Sequence, residues 1–396
     1  MINGYLIRIS IFFLMGNIYK IIDYILDKTL KHDFDAAGYI NGSSSKLIFL
    51  SNYYKNFESN EKVLKEIYSI RKNLLTAIEN NSIPNLTLSY GLSGVLFSLE
   101  YSYDLIGDNS EIELDKDFCD FLILECTNML YENNFDLLTG GIGILNFLID
   151  NHIEFLDSNA IDKVLSALVE KQTNGIWLSK KDTKKINLGL SHGYISIVIV
   201  LLKIHNFFPE KKIEELLTNT LDMTLAFKNN KDANSCFPNF VNNDGLKTNK
   251  SSRLAWCYGD LGISLLFFLA GKNLSNDFYL EQGKEIIKKI NERKDLKQNL
   301  IYDASFCHGA SGVAHILNKL LYEYNIPELN PLYDYWIKMT IEMMETNKLL
   351  SYEPQDDNIE FVENYGLLNG YCGIGMVLID YITRNKNLSW SNPLLV

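Results

Sequence analysis

Three residues of this chain have the types and placement of a metal site. Cys257 lies in Trp256-Cys257-Tyr258-Gly259 and, fifty residues on, Cys307 and His308 lie in Phe306-Cys307-His308-Gly309, each segment opening an apolar run. Two thiolates and a neutral imidazole are soft donors that suit zinc. Three protein ligands leave a fourth position for water or substrate, the arrangement of a catalytic site rather than a cross-link. The chain has no Cys-x-x-Cys pair, so the spacing is not that of a zinc finger, and the ligands meet only once distant elements have folded. The expectation is one Zn2+ per chain, held by Cys257, Cys307 and His308.

The elements that must position these ligands repeat along the chain. A Gly-x-x-Gly signature followed by an apolar run starts at Gly91, Gly140, Gly259, Gly309 and Gly370; Gly193 has Ser196 in place of the second glycine, and Gly42 begins a degenerate copy, Gly42-Ser43-Ser44-Ser45. The turns stand roughly fifty to sixty-five residues apart, the length of one helical hairpin. Before the turns, sets such as Val63, Ile67, Ile70, Leu74 and Ile78, or Ile213, Leu216, Leu217, Leu221 and Leu225, follow helical spacing among charged neighbours, which predicts outer helices with one wet face. After the turns, runs such as Ile263 to Leu269 are apolar all round and predict buried inner helices. Seven outer and seven inner helices in alternation predict an all-α protein, an α/α toroid of about seven helical hairpins. Its inner N-termini would favour thiolates and anions at one end.

Composition narrows the function. With 47% hydrophobic and 12% aromatic residues the 396-residue chain can bury a large core, and no Pro/Gly/Ser-rich linker divides it, so residues 31–396 are expected to form one toroid domain. A net charge of −12 argues against nucleic acid, whose phosphates need a basic surface, and is compatible with a cationic peptide partner or with solubility alone. Cysteines 119, 126, 236, 257, 307 and 372 have no disulfide-framework spacing, which points to a reduced, cytoplasmic compartment. Residues 1–30 form a separate apolar segment. Tyr5 to Met15 is too short to span a bilayer, contains Arg8 and lacks a small-residue cleavage site, leaving a core helix, a membrane-touching segment, or sequence upstream of a start at Met15.

The longest interval between turns, Gly193 to Gly259, carries Asp244-Gly245 between short runs. This predicts a small β excursion near residues 236–250, which delivers the chain to Arg253, a cation within about one helical turn of Cys257. Arg253-Leu-Ala-Trp-Cys-Tyr-Gly259, Cys307-His308-Gly309, Leu190-Ser-His-Gly193 and Phe135-Asp-Leu-Leu-Thr-Gly140 together resemble the lanthipeptide (lantibiotic) cyclases, zinc proteins that close thioether rings, and the resemblance covers essentially the whole chain. It implies zinc on Cys257, Cys307 and His308, an acid/base role for His192 with Asp136 as its partner, and places for Arg253 and Tyr258 in the catalytic site. It also implies a dehydrated precursor peptide with a leader as substrate. The long dehydratase region of fused synthetases is missing, so the expected partners are a separate dehydratase and a transporter, in a complex at the inner face of the cell membrane.

The chemistry is consistent from first principles. Adding a cysteine thiol across dehydroalanine or dehydrobutyrine needs a thiolate and then protonation of an enolate. A free thiol with a pKa near 8.5 is mostly protonated at neutral pH, and zinc coordination removes that barrier. His192 can move a proton near neutral pH, with Asp136 fixing its tautomer, while Arg253 and Tyr258 can stabilise the enolate oxygen. Asp136 is alternatively a helix cap, and Arg253 alternatively pairs with an acidic side chain. Two other readings stay open: another zinc-activated thiol alkylation, such as prenyl or glutathione addition, and a non-catalytic peptide-binding toroid with structural zinc. Cys372, on the last turn, is the residue that would close the fourth zinc position in the latter; otherwise Cys372 and His315 are core residues.

Overall fold

The computed structural model describes residues 2–57, 60–109, 112–180, 183–243, 251–347, 350–355 and 358–396, with backbone alone for 2–14 and 347–361. Its helices are α1 (Ile2–Lys31), α2 (Ser43–Asn56), α3 (Glu61–Glu79), α4 (Leu92–Ile106), α5 (Lys116–Tyr131), α6 (Gly141–Asn151) and α7 (Ser158–Lys171). After strand β1 (Lys185–Asn187) come α8 (Ile195–Phe207), α9 (Lys211–Ala226), strand β2 (Phe240–Asn242), α10 (Asp260–Asn273), α11 (Asp277–Glu292), α12 (Ala310–Glu323) and α13 (Asn330–Asn347). A hairpin, β3 (Leu350–Gln355) and β4 (Asn358–Glu363), leads into α14 (Tyr371–Thr383). The fourteen α-helices among the described residues alternate as seven hairpins, as the repeat predicts. No helix among the described residues is long and apolar enough to cross a membrane.

Outer and inner helices differ in how they begin. Asn60, Asp115, Asp157 and Asn276 cap α3, α5, α7 and α11 through side-chain oxygens, satisfying amide groups that have no partner within the helix. On α3 only one stripe, with Val63, Ile67, Ile70 and Leu74, is buried. Helices α6, α10, α12 and α14 instead start at turn glycines with no side-chain cap, and every residue from Tyr371 to Asp380 of α14 is buried.

The inner helices replace the side-chain cap with a recurring loop. The amide just after the turn glycine bonds the carbonyl seven residues earlier: Ser43 to Ala36 (2.8 Å), Leu92 to Asn85 (2.8 Å), Gly141 to Asn134 (3.1 Å), Tyr194 to Asn187 (3.1 Å), Ala310 to Asp303 (3.0 Å) and Tyr371 to Asn364 (3.0 Å). The side chains of Asn85, Asn187, Asp303 and Asn364 also accept the amide two residues ahead, closing the loop locally. The glycine is needed because the loop folds back upon it. A Cβ on Gly193 would collide with backbone of Asn187 and Gly189, and one on Gly309 with backbone of Asp303 and Ser305. The degenerate first turn makes the same Ser43 to Ala36 bond, so losing the second glycine leaves the loop intact.

The chain divides into two compact units, residues 1–82, 98–110 and 302–390 in one and 83–97, 111–301 and 391–396 in the other. In the first, α14 packs against α1, α2 and α12, and Leu367 N bonds Ile40 O at 2.7 Å, joining the seventh turn to the first. In the second, α8 packs between α6 and α10. There β2 pairs antiparallel with β1, Asn187 opposite Phe240. The excursion expected near 236–250 is therefore present at 240–242, but its partner strand lies upstream of the fourth turn. The Asp244-Gly245 signal lies outside the described residues.

Candidate active site

Backbone bonds run from turn to turn through the residue two before each glycine. Ser89 N bonds Leu138 O at 2.9 Å, and Cys307 N bonds Leu368 O at 2.8 Å. Between the fourth and fifth turns, Leu190 N and Ser191 N reach the carbonyl of Cys257 at 3.0 and 3.4 Å. Cys257 and Cys307 hold the same place in their turns, and His192 and His308 share the next place along. That second position is open: Asn41, Tyr90 and His192 are exposed, and Thr139, Tyr258, His308 and Asn369 are half-buried. Side chains there can meet a substrate, while the position before it ties the turns together.

His192 and Asp136 are brought together. Asp136 Oδ2 lies 2.7 Å from His192 Nδ1, and Asp136 Oδ1 accepts the amides of Leu138 and Thr139, each at 2.8 Å. Burial pushes the Asp136 carboxyl up, but the His192 hydrogen bond and charge and the two amides outweigh it and hold the group below its ordinary range. An ionised carboxylate only accepts, so Nδ1 carries the proton and Nε2 is left to exchange one, on a side chain that is 44% exposed. Asp136 thus serves as both turn cap and imidazole partner.

Arg253 and Tyr258 flank Cys257 in the same unit. Arg253 stands six residues before its turn glycine, where five of the six other loops have Asn85, Asn134, Asn187, Asp303 and Asn364 and the first has Ala36. It donates Nη2–H to Leu300 O at 3.0 Å; its buried Nε has no hydrogen-bond partner among the described residues, nor does the side chain make an ion pair there. Gly259 is the one turn glycine in the positive-φ region, at φ 92° and ψ −160°, where a side chain is not tolerated. The Tyr258 ring rests against Gly189 and lies 5.3 Å from Phe240 of β2, and its hydroxyl accepts Asn187 Nδ2–H of β1 at 3.3 Å. The small sheet therefore holds Tyr258 in place.

Sequence reasoning missed the brace of this loop. Asp260 and Arg293, both buried, pair at 3.0 Å; Asp260 accepts the amides of Cys236 and Phe237, and Arg293 donates to Ser252 O and Asn299 Oδ1. Burial raises Asp260 above its ordinary pKa even against the Arg293 charge, so the pair fixes both ends of the segment that carries Cys257. An aspartate directly after Gly259 was the available signal. The recurrent Asn or Asp six residues before the turn glycine was another.

Cys307 and His308 belong to the other unit, half-buried, with His308 Nε2 3.9 Å from Asp303 Oδ2. The three expected ligands thus fall two in one unit and one in the other, and within neither unit do three His, Cys, Asp or Glu side chains of the described residues form a metal-holding group. Cys372 in particular does not complete such a group with Cys307 and His308. It is fully buried and its thiol is pushed up to about 12 by burial, consistent with a core residue. His315 is fully buried as well.

Residues 33–395 match the lanthionine synthetase C-like protein family, a span that includes every site residue named above. The chain belongs to that family. This lanthionine synthetase C-like protein is 23% identical over 309 residues to nisin biosynthesis protein NisC of Lactococcus lactis subsp. lactis, an alignment covering 74% of this chain and 65% of that protein, a little under two thirds of its length. Among solved structures it is similar to nisin cyclase, with a TM-score of 0.71, 21% identity, and 96% of each chain covered. The likeness is one of fold, and it makes the family member an all-α protein of the α/α toroid class.

Proposed function

We propose that this protein is a zinc-dependent lanthipeptide cyclase, which adds cysteine thiols of a dehydrated precursor to dehydroalanine or dehydrobutyrine and so forms (methyl)lanthionine rings. The observation that carries the reading is the His192–Asp136 pair, with His192 on the turn whose backbone bonds Cys257. Family membership and the fold support it.

The donor set fits zinc. Cys257 and Cys307 are thiols at the same place in two equivalent turns, and the His308 imidazole directly follows Cys307. When bound, zinc lowers the pKa of a coordinated thiol and supplies a thiolate at neutral pH. The rest falls to this chain's residues. As the sulfur bonds Cβ of the dehydro residue, the π electrons move toward Cα and its carbonyl. Arg253, whose side chain is half-buried, and Tyr258 would stabilise that oxygen. His192 Nε2 takes up the proton released from the thiol and passes it to Cα, so each ring closes without net proton change.

The substrate on this reading is a precursor with a leader, supplied by a separate dehydratase and passed to a transporter, with the cyclase in the cytoplasm against the membrane. The test is direct. A dehydrated peptide with one cysteine downstream of one dehydroalanine, incubated with zinc-loaded protein, should stop fragmenting between those two residues in tandem mass spectrometry. Unaltered fragmentation would count against the proposal.

A further inference from the structure

A cavity of about 200 Å3 opens to solvent at the C-terminal ends of α12 and α14, at the opposite end of those helices from their glycine turns. Its lining includes two buried acceptors. Asn318 is 1% exposed, and its Oδ1 has no hydrogen-bond partner among the described residues. Asp380, also 1% exposed, accepts Nε1–H of Trp390 at 2.9 Å and Nδ2–H of Asn385 at 3.1 Å. No Lys or Arg among the described residues pairs with Asp380; its nearest basic group, His315, stands at 3.9 Å and is held neutral by burial. The Asp380 carboxyl is correspondingly pushed up to about 7 by burial.

An unpartnered buried acceptor beside a carboxyl without a cation costs free energy unless something supplies donors and positive charge. The last turns of α12 and α14 add partial negative charge from unpaired carbonyls. Tyr333 and Tyr381 supply aromatic wall, which suits an alkyl stem or an ammonium face. At the exposed mouth lie Asp334, whose carboxylate accepts the Tyr381 hydroxyl at 3.1 Å, and Arg384, the cation of the lining. A volume of about seven waters, at about 30 Å3 each, is that of an amino acid and too large for a bare metal ion.

We propose that this cavity binds a small zwitterion, its primary ammonium seated on Asn318 and Asp380 and its carboxylate at Arg384. None of the lining residues is among those assigned to ring closure, and the inference does not depend on that assignment.

The probe is 5-aminovalerate, with pentylammonium and valerate as controls, added to the full chain. The readout is the indole N–H resonance of Trp390, which donates to Asp380. The expected result is a saturable shift of that resonance with 5-aminovalerate, about tenfold weaker binding of pentylammonium, and no response to valerate. Asn318→Leu should weaken 5-aminovalerate at least tenfold. Arg384→Gln, an exposed change that does not threaten the fold, should leave pentylammonium binding unchanged and abolish the advantage of the zwitterion. No saturable shift, an equal response to valerate, or an Arg384→Gln protein that still prefers the zwitterion would overturn the site.

Discussion

Asp136 holds the imidazole of His192 with one carboxylate oxygen, 2.7 Å from Nδ1, and its own turn with the other, which accepts the amides of Leu138 and Thr139. The two jobs separate in Asp136→Asn. An asparagine that keeps its oxygen on the amides must turn its NH2 toward Nδ1, which moves the imidazole proton to Nε2. The variant should fold and lose ring-closing rate by about 10²–10⁴-fold, the usual scale of general acid–base catalysis. His192→Asn should lose a similar factor, and the double variant little more, because the two act as one unit. Additive losses in single-turnover kinetics would show that they do not.

Zinc binding should be separable from proton transfer. Purified protein is expected to carry about one zinc per chain, Cys257→Ala and Cys307→Ala little, and His192→Asn the full amount. Elemental analysis decides this, and full occupancy in both cysteine variants would remove Cys257 and Cys307 from the ligand set.

The Asp260–Arg293 pair is fully desolvated, so removing one partner strands a buried charge. Arg293→Ala should cost about 3–5 kcal/mol in denaturant unfolding. It should also weaken zinc retention, since Arg293 holds Ser252 O and Asp260 holds the amides of Cys236 and Phe237 around the Cys257 segment. A loss under about 1 kcal/mol, the scale of a surface pair, would contradict the brace.

His315 and Asp380 should impose opposite pH slopes on stability. Burial lowers His315 from 6.5 to about 3, so the unfolded chain binds more protons in that window and stability rises with pH. Burial raises Asp380 from 3.8 to about 7, so the folded chain keeps a proton the unfolded chain has lost, and stability falls as pH rises. Urea midpoints between about pH 4 and 6.5 should therefore rise with pH more steeply in Asp380→Asn than in the parent, and less steeply, or fall, in His315→Gln. Both variants shifting the slope the same way would refute the assignment.

The helical hairpins were legible because one physical pattern repeats: wet-faced helices with Val63, Ile67, Ile70 and Leu74, then a glycine turn, then an apolar run such as Ile263 to Leu269. The pairing of His192 with Asp136 was expected from the resemblance carried by Leu190-Ser-His-Gly193 and Phe135-Asp-Leu-Leu-Thr-Gly140, not from spacing alone. The partner of β2 was not, because three-residue strands carry too little alternation to register and Lys185–Asn187 lies far from Phe240–Asn242 in sequence. The β3–β4 hairpin went unread for a related reason, since Pro354 interrupts a strand signal. Arg253 was legible as a cation near Cys257 and, through the resemblance, as a site residue; that it stands where five other repeats have Asn or Asp emerges once the turns are aligned by their hydrogen bonds.

The proposed chemistry is tested most directly by counting thiols at constant mass. Dehydrated precursor incubated with zinc-loaded protein should lose its capacity for thiol alkylation while its mass stays unchanged, because adding a thiol to a dehydro residue of the same peptide neither gains nor loses atoms. A gain in mass would indicate prenyl or glutathione transfer instead. Thiols that remain free at the rate of the uncatalysed reaction, with zinc bound and the cognate peptide present, would contradict the cyclase account.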